Sequence, residues 1–279
     1  MSFFTTSDNH RIHFEDTGSG QPLLCLAGLT RNGRDFSFLA PHVTDLRLIK
    51  MDYRGRGQSD YVGDYMTYNV LRESQDVIEL LDHLELPQVT VLGTSRGGLN
   101  AMVMAANHPG RLSGVILNDI GPEVSPQGIE RIMEYVGKKP AARTYDEAAA
   151  AMKHAMGHEF PGVSIDIWRK QVEFQYAETP DGLDLRYDAK LHTALVEQAA
   201  SGPAPDLWPL FDALKPVPVG VLRGANSDIL TRETLDDMAG RHPDLIWTEV
   251  PDRGHVPFLD EPESLTLIHK ILERTREHV

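Results

Sequence analysis

Cysteine is almost missing from this 279-residue chain: there is one, Cys25. No intramolecular disulfide can form, and its place inside an apolar run suits a small buried hydrophobe rather than a catalytic thiol. Basic charge is also scarce. Twenty-seven Lys and Arg stand against 41 Asp and Glu, a formal net charge of −14. That balance argues against nucleic acid or an anionic membrane as the main partner, and any capture of an acidic substrate would need a local cluster of arginines. No apolar run is long enough to cross a bilayer. The N-terminus, Met1-Ser-Phe-Phe-Thr-Thr-Ser-Asp8, lacks a basic segment followed by an apolar one, so a cytoplasmic protein is expected. There is no P-loop lysine, and Gly93, Gly97 and Gly98 do not fit a dinucleotide fingerprint, so no cofactor is expected. His154 and His158 stand at helical spacing without a third ligand in view, which reads as a solvated face rather than a metal site.

What is present is a globular composition with enough apolar residues for a sizeable core. Short buried or half-buried runs at Arg11–Glu15, Pro22–Ala27, Leu46–Met51, Gln88–Leu92, Leu112–Leu117, Val217–Leu222 and Leu245–Val250 read as strands. Amphipathic stretches lie between many of them. Thr67–Leu84 is the longest, with Val70, Leu71, Val77, Leu80, Leu81 and Leu84 expected on its inner side; Thr231–Ala239 and Glu263–Arg274 follow later. Strands alternating with helices imply an α/β fold with a doubly wound, mostly parallel sheet. The rhythm breaks between residues 123 and 204, where the patterns are helical, as at Tyr145–Met156 and Val163–Tyr176, with no clear buried strand. The expected organisation is therefore a core of residues 1–122 and 205–279, with a helical insert at 123–204.

The chemistry centres on Val89-Thr-Val-Leu-Gly-Thr-Ser-Arg-Gly-Gly-Leu99: a buried strand, a sharp turn with Ser95 at its apex, and the start of a helix. A serine hydroxyl is a poor nucleophile. It must be held exposed beside a base and close to oxyanion donors. A tight strand-to-helix turn does this, but it crowds the residues two before and two after the serine, hence Gly93 and Gly97. The helix that follows aims its N-terminal N–H groups at the site. The plainer alternative is an ordinary βα turn with a capping serine.

In such sheets, ligands bind at the C-terminal ends of the strands. After Val217–Leu222 comes Arg223-Gly-Ala-Asn-Ser-Asp228, and after Leu245–Val250 comes Pro251-Asp-Arg-Gly-His255. Ser95, Asp228 and His255 thus follow in the chain order of a hydrolase triad. Asp119 also follows a strand and is a rival for the acid, although before Gly121-Pro122 it reads equally as a turn former.

With these residues in view, the chain resembles the α/β-hydrolase fold superfamily over nearly its whole length outside the insert. The resemblance rests on Gly93-Thr-Ser-Arg-Gly-Gly98, Asp52-Tyr-Arg-Gly-Arg-Gly-Gln-Ser-Asp60, Arg223-Gly-Ala-Asn-Ser-Asp228 and Arg253-Gly-His-Val-Pro-Phe-Leu-Asp-Glu-Pro262. It implies Ser95 as nucleophile, His255 as base and Asp228 as orienting acid. It also implies an oxyanion hole from the backbone N–H groups of Arg96 and Leu29, and a helical cap over the pocket. The first loop departs from the family, with Ala27-Gly28 where His-Gly is common. Haloalkane dehalogenases and epoxide hydrolases need Asp at the nucleophile position, which Ser95 excludes. The expected function is hydrolysis of a small carboxylic ester, thioester or lactone. The alternatives are hydrolysis of a carbon–carbon bond in a ring-cleavage product, or a ligand receptor with vestigial turnover. Arg31 is the best candidate for a substrate carboxylate, ahead of Arg54 and Arg96, and Trp168 is a candidate for the pocket lining.

Overall fold

In the computed structural model, which describes residues 2–277, the chain opens with β1 (Ser2–Thr5) and β2 (Arg11–Thr17), then β3 (Pro22–Leu26) and β4 (Arg47–Met51). There follow α1 (Val70–His83), β5 (Val89–Thr94), α2 (Arg96–Asn107) and β6 (Leu112–Asn118). After the insert come α7 (Trp208–Asp212), β9 (Val219–Gly224), α8 (Arg232–Arg241), β10 (Ile246–Val250) and α9 (Pro262–Glu277). Eight strands form one sheet in the order β1-β2-β4-β3-β5-β6-β9-β10. The pairs β1–β2 and β2–β4 are antiparallel; every pair from β4 onward is parallel.

The period of two along the strands splits the core into two layers. Leu24 and Leu26 of β3 face one side with Val91 and Leu117, against α1 and α2; Leu23 and Cys25 face the other with Leu92 and Ile116, against α9. Burial pushes the Cys25 thiol pKa well up, consistent with a packing role.

Helix α1 departs from its expected inner face. Leu71 is 67% exposed, whereas Glu73 and Asp76 are fully buried. The inner face is partly ionic. Asp76 takes a two-pronged contact from Arg54, and Glu73 lies between Arg56 and Arg96. Apolar spacing alone does not register a helix whose inward positions are filled by paired charges.

Between β6 and β9 lie α3 (Pro126–Tyr135), α4 (Tyr145–Met156), α5 (Ile165–Gln175), β7 (Tyr176–Thr179), β8 (Gly182–Leu185) and α6 (Lys190–Ala200). The antiparallel hairpin β7–β8 was not expected from the sequence. Its turn, Pro180-Asp181-Gly182, has Gly182 at φ 118°, a conformation that favours glycine. Phe160, Val163, Trp168 and Val172 of this segment form an apolar cluster that also takes in Phe258, from the loop before α9.

Candidate active site

Strand β5 runs straight into α2 through Ser95, which sits at φ 51° and ψ −113°. A non-glycine residue there costs about 1–3 kcal/mol, and the strand and helix on either side hold it in place. The Ser95 N–H donates to the carbonyl of Asn118 at 3.0 Å, tying the turn to the end of β6. A methyl group on Gly93 would overlap the backbone of Gly97, and one on Gly97 would overlap the carbonyl of Leu26. Both small residues are therefore required by space. Arg96 is the first residue of α2, so its backbone N–H has no acceptor within the helix.

His255 comes from the loop after β10, and its Nε2 lies 3.1 Å from Oγ of Ser95. Its Nδ1 lies 2.7 Å from Oδ2 of Asp119. Asp119, one residue past β6, is fully buried and receives two further bonds. The Gly224 N–H donates to Oδ1 at 2.8 Å, and the Ser227 hydroxyl donates to Oδ2 at 2.6 Å. Ser227 Oγ itself accepts from the N–H groups of Ile229 and Leu230, which leaves its own proton for the carboxylate.

The expectation that Asp228 contacts His255 therefore does not hold. The Asp228 carboxylate turns to the insert, 2.5 Å from Nη2 of Arg131 on α3, and its carbonyl accepts from the Ser125 hydroxyl. Strand β6 lies between β5 and β9, so a side chain just beyond its end lands between the serine turn and the β9 loop. Asp228, four residues past β9, has already moved on toward α3. The β9 loop supplies Gly224 and Ser227 as donors to the acid instead. Neither stood out in the sequence, because a backbone N–H and a loop serine carry no distinguishing pattern.

The Gly28–Leu29 loop lies over the serine: a methyl on Gly28 would sit 3.9 Å from Cβ of Ser95. Leu29 packs against the apolar group that includes Val136, Tyr187 and Leu191, so this loop is anchored by the insert. Arg31 lies beside it, but its fork is taken by Asp35, at 2.7 and 2.8 Å, and by Gln171 of α5. Arg31 thus joins the core to the insert with its charge compensated by Asp35. Arg54, fully buried on Asp76 and Asp8, is structural. Trp168 is 2% exposed, edge-on to Phe160 and Phe258, so it is packed between the insert and the loop before α9 rather than lining a pocket. Tyr135 and Tyr176 stand near Arg31. Tyr135 is 48% exposed, yet burial raises its phenol pKa against the opposing pull of Arg31 and Arg131. Tyr176 is shifted the same way, by burial, with Arg31 again opposing.

The model of the alpha/beta hydrolase fold matches residues 21–262. The chain belongs to that family. An alpha/beta hydrolase from Novosphingobium aromaticivorans superposes with a TM-score of 0.91 at 41% identity, over 98% of this chain and 97% of that one. The 3-hydroxybutyrate-oligomer hydrolase of Cupriavidus necator is 33% identical over 270 residues, 92% of this alpha/beta hydrolase and 91% of that protein. The 2-(acetamidomethylene)succinate hydrolase of Mesorhizobium japonicum is 25% identical over 254 residues, 90% of this chain and 87% of that one. Among the described residues, no helix is long and apolar enough to cross a membrane, and no group of three or more metal-ligating side chains is found.

Proposed function

We propose that this alpha/beta hydrolase is a serine hydrolase that cleaves small carboxylic esters, thioesters or lactones through an acyl-enzyme on Ser95. One observation carries the reading: the Ser95–His255–Asp119 chain of contacts at 3.1 and 2.7 Å, with the serine on a strained turn. His255 Nε2 takes the Ser95 proton as Oγ attacks the carbonyl carbon, and returns it to the departing alkoxide or thiolate. Asp119 holds the ring so that Nε2 faces the serine, and stabilises the imidazolium. The backbone N–H groups of Arg96 and Leu29 receive the oxyanion. Water, deprotonated by His255, then releases the acid. The insert forms the cap.

The likeness to a hydrolase of 3-hydroxybutyrate oligomers favours esters of short hydroxy acids as substrates. A fluorophosphonate probe and a panel of p-nitrophenyl and 3-hydroxyacyl esters test the reading. The expected result is a label on Ser95, ester turnover, and loss of both in Ser95→Ala. Turnover unchanged in Ser95→Ala, or a label elsewhere with Ser95 unmodified, overturns it.

A further inference from the structure

One buried carboxylate reaches both sides of the serine turn. Glu73 on α1 accepts from Nε of Arg96 at 2.8 Å through Oε2, and its Oε1 lies 2.9 Å from Nη2 of Arg56. Arg96 directly follows Ser95. Arg56, in the loop after β4, donates through Nε to the carbonyl of Leu29 at 3.0 Å and through Nη1 to the carbonyl of Arg54 at 2.8 Å. The Gly28 carbonyl, one peptide earlier, accepts from the Arg31 N–H at 3.1 Å. The Leu29 N–H shares its peptide plane with the held Gly28 carbonyl, and Arg56 holds the next peptide through the Leu29 carbonyl, so the chain is tied on both sides of this N–H.

All three charged side chains are buried: Glu73 at 0%, Arg56 at 1% and Arg96 at 8% exposure. Burial opposes the charge on Arg56, while the two guanidinium groups hold Glu73 below the usual carboxylate range despite its own burial. A buried cluster of this kind is a poor source of stability compared with apolar packing, because desolvation offsets the attraction. Two cations on one anion also leave an excess of positive charge next to the turn.

We propose that Glu73 is a positioning residue that acts through Arg96 and Arg56 to fix the spacing of the two oxyanion donors, the N–H groups of Arg96 and Leu29. This rests on the serine-hydrolase reading above. Donors aimed at an oxyanion matter once the carbonyl becomes tetrahedral, so loosening them lowers kcat and leaves KM largely alone.

The test compares the wild-type protein with Arg56→Lys and Glu73→Gln. Arg56→Lys keeps a cation opposite Glu73 but loses the planar fork that reaches Leu29, and it serves if Glu73→Gln does not fold. The measurements are kcat, KM, and inhibition by a short alkylboronic acid, which forms a tetrahedral adduct on a reactive serine. The expected result is a kcat lower by about 10- to 100-fold, KM within about twofold, and a loss of boronate affinity that parallels kcat/KM. Wild-type kcat in Arg56→Lys, a loss confined to KM, or boronate affinity unchanged while kcat falls, overturns the proposal. If the wild-type protein is neither labelled by fluorophosphonate nor inhibited by boronate, the serine-hydrolase reading itself fails and takes this proposal with it.

Discussion

Asp119 meets Nδ1 of His255 at 2.7 Å from the end of β6, and the β9 loop that might have supplied the acid supplies hydrogen-bond donors to Asp119 instead. Asp228 spends its carboxylate on Arg131, a bond between core and insert. The two acids therefore separate by mutation. Asp119→Asn lets the side chain present an amide to Nδ1, favouring the wrong tautomer, and kcat is expected to fall on the order of 10³- to 10⁴-fold. Asp228→Asn removes one partly exposed ion pair, so kcat is expected to stay within about fivefold. Steady-state ester hydrolysis by both purified variants checks this. A loss in Asp228→Asn that equals the loss in Asp119→Asn would place the acid on the β9 loop.

Trp168 separates packing from substrate contact in the same manner. Its ring lies 5.5 Å from that of Phe160 and 6.4 Å from that of Phe258, and its indole N–H has no hydrogen-bond partner among the described residues. Trp168→Ala empties a core position and is expected to cost about 3–5 kcal/mol. Trp168→Phe also removes an unsatisfied donor, which offsets part of the lost volume, so its cost is smaller, about 1–2 kcal/mol. The ring is buried, so KM for folded Trp168→Phe is expected to match the wild type. Denaturant unfolding and ester kinetics read out the two effects. A several-fold rise in KM for Trp168→Phe with stability unchanged would return the ring to the pocket.

The parts of the molecule that a sequence makes legible are those where residue type and local geometry are tied together. Gly93 and Gly97 announce the Ser95 turn because no other residue fits there, and short apolar runs announce the parallel strands on either side of β5. His255 could be placed because its loop follows a strand whose position in the sheet is set by topology. The acid was harder. Asp119 and Asp228 both follow strands, and the choice depends on how far each lies past its strand end and which neighbour its side chain faces, neither of which is a local property. Arg31 shows the same limit: Asp35 pairs with it and Gln171 accepts from it through contacts that only the folded chain creates. Leu71, expected inside, is exposed and Glu73 is buried because ion pairs joining separate segments outrank apolar periodicity in α1.

The same kind of pairing gives the fold a pH dependence at Asp8. Asp8, ahead of β2, faces the buried guanidinium of Arg54 at 2.9 Å, with Arg72 at 3.1 Å. Burial on its own would raise the Asp8 pKa. Hydrogen bonds from Arg54 and Thr6, and the attraction of Arg54 and Arg72, outweigh it and hold the carboxyl well below its usual range. An acid whose pKa is lower in the folded than in the unfolded state stabilises the fold above the unfolded value, about 3.9, and loses that contribution as the pH drops toward the folded value. Asp8→Asn is therefore expected to lower the denaturation midpoint at pH 7, modestly because the carboxyl is partly exposed. The gap from wild type is expected to narrow as both proteins are taken below about pH 4. Urea unfolding of the two proteins at pH 7 and pH 3 measures it. A gap that stays constant across that range would mean that Asp8 contributes through the shape of its turn rather than through its charge on Arg54.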